Sequence, residues 1–348
     1  MPQSREEAGT SAQATLMALI TGFMPARVVH VAAELGLADL MAAGETSAAS
    51  LARETGTHAP SLHRLLRALA SLGLVDEVEP GRFALTALGA HLRRGAPGSL
   101  SNLALMFGGE RSWRSWGELL HSVRTGESAT RHVFGMGSFE YLAAYPPAAA
   151  IFNEAMAEIT RQVAHAVAAA YDFSRFRRIV DVGGGNGTLL AAILAAAPAL
   201  RGTVFDLPAG NADAPRLLAA AGLAERAEAI AGDFLRAVPQ GADAYILKSV
   251  IHDWDDDESV IILTNCRKAI AGGGRLLLVE RVMPERMESS PIHQRMAMLD
   301  MNMLALPGGR ERTEAEYRAL FQAARFALER ILPLPDRGGL SLIEAAPA

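Results

Sequence analysis

His252 is followed closely by Asp253, Asp255, Asp256, Asp257 and Glu258 in the segment ILKSVIHDWDDDES. One imidazole before a run of carboxylates can be half of a metal site, a general base, or a helix start with solvated acids. Mg²⁺ needs oxygen ligands converging in octahedral geometry. Consecutive acids at the start of a helix point in different directions, so 255–257 suit a cap better. Asp255 or Asp256 is expected to cap, and Asp257 and Glu258 to complement the helix dipole. No second carboxylate cluster is evident, and a catalytic metal is not expected. His252 and Glu280 are each expected near the end of an apolar strand. Neighbouring parallel strands would deliver both to one sheet edge, where open α/β sheets bind ligands.

A second group with chemical potential is the loop Asp181-Val182-Gly183-Gly184-Gly185-Asn186-Gly187, set between a strand and a helix. Glycines there allow positive φ and close approach of the backbone to a ligand. The dinucleotide fingerprint G-x-G-x-x-G would need glycine at 188, but Thr188 is present. Asp206 ends the next strand, at about the 20-residue spacing of an acid that bonds ribose hydroxyls. Asp233 ends the third strand, in GDF. Three strand ends thus converge on a crevice suited to a nucleoside-type cofactor.

The elements that must position these residues fall into two halves. Residues 12 to about 130 read as helices at 12–22, 25–43, 47–55, 60–73, 99–107 and 112–124. The helix carrying Leu62, Leu65, Leu66 and Leu69 runs into Gly73. Two short apolar runs joined by Pro80-Gly81 follow, which is a helix and β-wing. His63, Arg64 and Arg67 give that helix only a thin basic face, so a structural or dimer-forming module is the better reading than DNA binding. After Phe173 strands alternate with helices (212–222, 256–271, 291–304), which implies a parallel, doubly wound sheet. A helix at 313–324 and two strands joined by PDRGG close the chain; so short a link suggests an antiparallel hairpin at the sheet edge. Two domains are expected, 1–112 and 113–348, with 113–165 helical.

The whole chain is consistent with this. It has 348 residues, half of them hydrophobic, and a net charge of −5, which disfavours generic nucleic-acid binding. A single cysteine, Cys266, excludes an internal disulfide and fits a reducing cytoplasm. Glu6 and Glu7 stand where a signal peptide would be basic. The apolar stretch from Ala14 to Ala26 reads as too short to span a bilayer and is interrupted by Pro25. Met296, Met298, Met301 and Met303 share one expected helix and read mostly as core filler or as spread over both faces.

DVGGGNG, FDLP, GDF, LKSVIHDW, LLLVERVMP and GGRERT occur in the order found in S-adenosylmethionine-dependent O-methyltransferases. The chain resembles the plant caffeate and flavonoid type and its bacterial relatives of aromatic polyketide and antibiotic pathways. The resemblance implies a class I, Rossmann-like domain with a seven-stranded sheet and an antiparallel last strand, plus a winged-helix N-terminal domain that forms a homodimer. It implies that Asp181, Gly183, Gly185, Asp206, Leu207, Asp233, Phe234 and Lys248 hold the cofactor. His252 falls on the family's general base, and Glu280 and Glu311 on its two flanking acids. Phe152, Met156 and Met303 match positions that clamp an aromatic acceptor, with Asp253 close by. Trp113 and Trp116 are candidates for the pocket wall or an interface. The implied reaction is methyl transfer to a hydroxyl of a small aromatic acceptor, with neither membrane nor nucleic acid as partner. Two alternatives are a relative that hydroxylates or decarboxylates a polyketide, and a winged-helix regulator. Two departures stand out: Ala324-Arg325-Phe326 replaces the family's Gly-Phe, and LALPGG is one residue shorter than in plant members. Both bear on the pocket rim, and so on the choice of acceptor.

Overall fold

The computed structural model describes residues 3–44, 46–334 and 338–348, with side chains from Ala12 onward. It divides into two compact units, Met1–Glu110 and Arg111–Ala348.

In the first unit the helices are Gln3–Thr21, Phe23–Glu34, Leu37–Leu40, Ala48–Thr55, Ala59–Ser71 and Ser101–Gly108. Three short antiparallel strands, β1 (Thr46–Ser47), β2 (Val75–Glu79) and β3 (Arg82–Leu85), pair in the order β1-β3-β2. The amphipathic helix Ala59–Ser71 buries Leu62, Leu66 and Leu69 against Leu51 and Phe83, giving the expected helix and wing. The helix expected at 25–43 instead breaks at Gly36, whose φ of 63° ends one helix and opens the next. Pro25 does not interrupt the apolar segment. It lies in the first turn of Phe23–Glu34, where no intrahelical N–H is lost. Ala12–Glu34 is therefore long and apolar enough to cross a membrane by length and composition, contrary to the estimate from the Ala14–Ala26 stretch alone. Leu16, Leu19, Ile20, Phe23 and Met24 along it are more than half exposed.

The second unit opens with short helices, Glu110–Gly117, Leu119–Thr125, Ala129–Phe134 and Ser138–Ala144, and the long helix Pro146–Ala170. The single helix expected at 112–124 is thus two, broken beyond Gly117. The strands then follow as β4 (Arg178–Val182), β5 (Arg201–Asp206), β6 (Ala227–Ala231), β7 (Ala244–Lys248), β8 (Arg275–Met283), the two-residue β9 (Arg312–Thr313), β10 (Phe326–Pro333) and β11 (Leu340–Pro347). Their order is β10-β11-β8-β7-β4-β5-β6, with β9 beside β8. The pairs β4·β5, β5·β6, β4·β7 and β7·β8 are parallel, while β11 runs antiparallel to both β8 and β10. The hairpin at the edge is as expected; Pro335, Asp336 and Arg337 of its link lie outside the described residues.

Both faces of the sheet are covered, which is why its central strands are continuous apolar runs. On β8, Leu276 and Leu278 face one core with Ile262 and Phe321, and Leu277 and Val279 face the other with Leu190 and Ile193. Each such fully buried side chain contributes about 1.5–3 kcal/mol. Strand order reverses at β4, so a crevice opens outside the carboxyl ends of β4, β5, β7 and β8.

Candidate active site

The crevice begins at the glycine loop after β4. Gly183, Gly185 and Gly187 have φ of 71°, 55° and 82°. A Cβ on Gly183 would lie 2.6 Å from Val250 Cγ2, so only glycine lets this loop close on the β7 end. A Cβ on Gly185 would point into open space, where a ligand has room. The Gly185 and Leu207 N–H groups donate to the two oxygens of Asp206, at 2.8 and 2.7 Å, and hold its carboxylate at the end of β5. Asp233 accepts from Leu235 N, and Asn265 donates to the carbonyls of Phe234 and Leu235, so the turn after β6 is fixed. Asp181 is buried, and its Oδ2 has no hydrogen-bond partner. Burial pushes its pKa up to about 7, opposed by the charge of Lys248 and assisted by that of Asp206. Burial likewise lowers the pKa of Lys248, against the pull of Glu280 and Asp181. An orphaned carboxyl, an open glycine turn and a held acid on the next strand fit a cationic, ribose-bearing cofactor.

The reactive part lies beside it. Ser249 takes φ of 54°, unusual for a residue with a side chain, and turns the chain sharply after β7. The N–H groups of Val250 and Ile251 then both reach Glu280 Oε1, at 2.9 and 2.8 Å. One turn on, His252 is buried with Nδ1 3.0 Å from Glu311 Oε1 and 3.8 Å from Glu280 Oε2. Its Nε2 lies 3.6 Å from Asp253 Oδ1. Glu311 also accepts from Arg281 Nη1, at 3.2 Å. Burial disfavours the charged imidazole, but Glu280, Asp253 and Glu311 together raise its pKa to about 9. Burial raises Glu280; at Glu311 it is outweighed by His252 and Arg281, which hold that carboxyl below its usual range. Candidate ligand atoms of His252, Glu280 and Glu311 lie within 4.8 Å of one another, compact enough for an ion as well.

The acidic run divides as the spacing suggested. Asp255 is the cap, accepting from Glu258 N at 2.8 Å. Asp256, the other cap candidate, has a different task. It pairs with Arg310 and with Arg312, whose guanidinium is fully buried and also donates to the carbonyls of Ile251 and Trp254. Arg312 therefore ties down both ends of the turn that carries His252. Sequence reasoning missed it, because nothing in the sequence distinguishes a buried arginine from an exposed one.

The two departures from the family pattern fall at opposite ends of the sheet. Arg325 directly precedes β10, whose first residue Phe326 pairs with Pro347 of β11, toward the amino end of β8 and at the sheet edge opposite His252. Pro307-Gly308-Gly309 packs on the base itself: a Cβ on Gly309 would lie 2.1 Å from the His252 carbonyl oxygen.

Among the expected acceptor residues, Phe152 lies under the Arg111 guanidinium, 5.5 Å away, and Arg111 is coupled electrostatically to Asp253. Met303 is buried and Met156 half-buried. Trp113 is not brought to this group. The helix Glu110–Gly117 buries Arg111, Ser112 and Ser115. Trp113, two positions from Arg111, falls on the opposite face, 40% exposed, in a hollow with Arg114, Gly117, Glu118, His132 and Val133. Trp116 donates to Asn302 at 3.0 Å.

Comparison with known proteins agrees with this geometry. Residues 116–327 match an O-methyltransferase domain and residues 17–94 an O-methyltransferase dimerisation domain. A phenazine O-methyltransferase from Lysobacter antibioticus is 45% identical over 347 residues, covering 100% of both chains. An O-demethylpuromycin O-methyltransferase from Streptomyces alboniger is 42% identical over 97% of this chain and 89% of its own. The solved structure of a mitomycin 7-O-methyltransferase superposes with a TM-score of 0.90 at 39% identity, over 99% and 100% of the two chains. An O-methyltransferase from neocarzinostatin biosynthesis, solved with S-adenosyl-L-homocysteine and 1,4-dihydroxy-2-naphthoic acid, gives 0.79 at 35% identity over 93% and 96%. The sheet, the crevice and these matches agree, and the chain belongs to the S-adenosylmethionine-dependent O-methyltransferases of class I fold, with the family's dimerisation domain at its N-terminal end.

Proposed function

We propose that this chain methylates a phenolic hydroxyl on a small aromatic acceptor of natural-product biosynthesis, without a metal, as a cytoplasmic homodimer. The observation that carries the chemistry is the orientation of His252. Glu311 holds Nδ1 at 3.0 Å, which leaves Nε2 as the proton acceptor. The bound cofactor supplies a methyl group already activated by positive sulfur, so the protein has to position and deprotonate the acceptor. A phenol of pKa about 10 is mostly un-ionised at neutral pH. His252 takes its proton at Nε2, and the carboxylates of Glu311 and Glu280 stabilise the imidazolium that forms. Gly183 and Gly185 would line the cofactor's amino-acid part, with Asp181 and Lys248 near the cofactor; Asp206 would take the ribose, and Leu207, Asp233 and Phe234 the adenosine side. Phe152, Met156 and Met303 would wall the acceptor.

A metal-free site is supported by the partners already in place. Arg281 and His252 share Glu311 Oε1, and two backbone N–H groups take Glu280 Oε1. A cation would have to compete with a guanidinium for the same carboxylate. Acceptors of this size are consistent with relatives named for phenazine, mitomycin and 3-amino-4-hydroxybenzoate methylation.

The test is turnover of S-adenosylmethionine with a panel of aromatic phenols, followed by product mass, with and without EDTA. Full activity in EDTA is expected, and its loss would refute the metal-free reading. His252→Ala should lower kcat by about 10²–10⁴ while S-adenosylhomocysteine still binds. Undiminished turnover in that variant would sink the base assignment.

A further inference from the structure

Resting on that reading, we infer that Arg111 is the receptor for a carboxylate on the acceptor ring, so that the preferred substrates are aromatic hydroxy acids rather than neutral phenols. The helix Glu110–Gly117 turns a polar face inward, and Arg111 on it is 9% exposed. A guanidinium carries five N–H donors in a fixed fork and is charged at any ordinary pH. Among the described residues none of those donors has a hydrogen-bonding partner, and no carboxylate forms a close ion pair with it. Its surroundings are the face of Phe152 at 5.5 Å and the longer-range fields of Asp253 and Tyr141. No Arg111 nitrogen is fully enclosed without a partner, so the fork borders open space in an otherwise buried residue, and a charge so little hydrated is unfavourable unless paired. An open, sparsely hydrated fork of this kind is a place for a complementary group to fill.

The neighbours say what that something is. Phe152 offers a ring face for an aromatic body to pack beside. Asp253 directly follows the base His252 and lies 3.6 Å from its Nε2. A ligand held by Arg111 is therefore brought toward the proton acceptor. A carboxylate matches the guanidinium fork with two parallel hydrogen bonds, as a hydroxyl or amide cannot. Asp253 adds a negative charge nearby, but Arg281 and Lys248 add positive charge on the side of Glu280 and Glu311. The residue with free donors is the arginine, so an anion is the complement the site lacks.

The experiment pairs each acid with its carboxamide: hydroxybenzoates, hydroxynaphthoates and hydroxyphenazine carboxylates, in turnover and in binding to the protein loaded with S-adenosylhomocysteine. In the unsubstituted enzyme the acid of a pair should be preferred in kcat/KM by about 10–100-fold, the range of a charge-assisted hydrogen-bonded pair. Arg111→Gln should bring that ratio close to one and weaken acid binding by about tenfold or more. Arg111→Lys keeps the charge without the fork and should fall between; it also serves if the glutamine variant does not fold. Amides preferred over acids, no acid bound anywhere in the panel, or an undiminished acid preference in Arg111→Gln would each overturn the inference. Undiminished turnover in His252→Ala would remove the base assignment yet leave acid binding to the loaded protein intact, so the two failures are separable.

Discussion

Burial alone would keep His252 neutral, but Glu280, Asp253 and Glu311 raise its pKa to about 9. The sign of the consequence follows from the role. A base must be unprotonated to act, so activity is present above this pKa and is lost as pH falls through it. In kcat/KM, which reports the free enzyme, the rate should climb with pH toward about 9. A flat profile between neutral pH and that value would contradict the assignment. Glu311→Gln removes one of the charges that raise the pKa, and its profile should bend at lower pH, with a reduced maximum rate. The direction of the bend separates an electrostatic role for Glu311 from a purely structural one, which would lower the rate at every pH alike.

At the scale of elements, two residues do opposite things with the backbone. Gly309 lets the Pro307 turn sit directly on the carbonyl of His252, and any side chain there collides with backbone on both sides of Asp253. Gly309→Ala should leave the circular dichroism close to that of the parent and lower kcat by at least about tenfold, by displacing the base. Arg325 shows the reverse: its φ of 59° puts a branched-out side chain in the left-handed region at the end of the helix Glu314–Ala323. Arg325→Gly should raise stability by about 1 kcal/mol, seen as a higher denaturant midpoint with the slope unchanged. Glycine is favoured at such a helix end for conformational reasons. The two positions show what was legible in the sequence. Strand and helix types around His252 could be read because period-2 and period-3.6 patterns survive in single segments, and the glycine loop and Asp206 because they are local. The order of the strands, the strained Ser249 and the buried clamp of Arg312 depend on contacts far apart in sequence, and residue type alone does not reveal them. Which face of the helix Glu110–Gly117 turns inward is likewise not given by composition, and Trp113 is 40% exposed on it.

For the molecule as a whole, the exposed Leu16, Leu19, Ile20, Phe23 and Met24 fall mostly within the match to the dimerisation domain. An exposed apolar strip of this kind calls for a covering surface. The double substitution Leu16→Glu and Ile20→Glu should shift the species seen by light scattering from dimer to monomer; an unchanged mass would place the interface elsewhere. The sheet of the second unit carries a consequence for how the protein is made. β11, the last strand in sequence, pairs with β8 on one side and β10 on the other, so it is an interior strand of the sheet. During synthesis β8 emerges with one side lacking its partner, and it stays so until residues 340–347 follow. At ribosomal rates of about 5–20 residues per second, that interval is on the order of several seconds. Throughout it, the run Leu276–Val279 presents an open edge of the kind that recruits foreign strands. The topology thus sets an interval in which that edge waits for its partner, and a chaperone that shields it until residues 340–347 arrive is expected to raise the yield of folded protein.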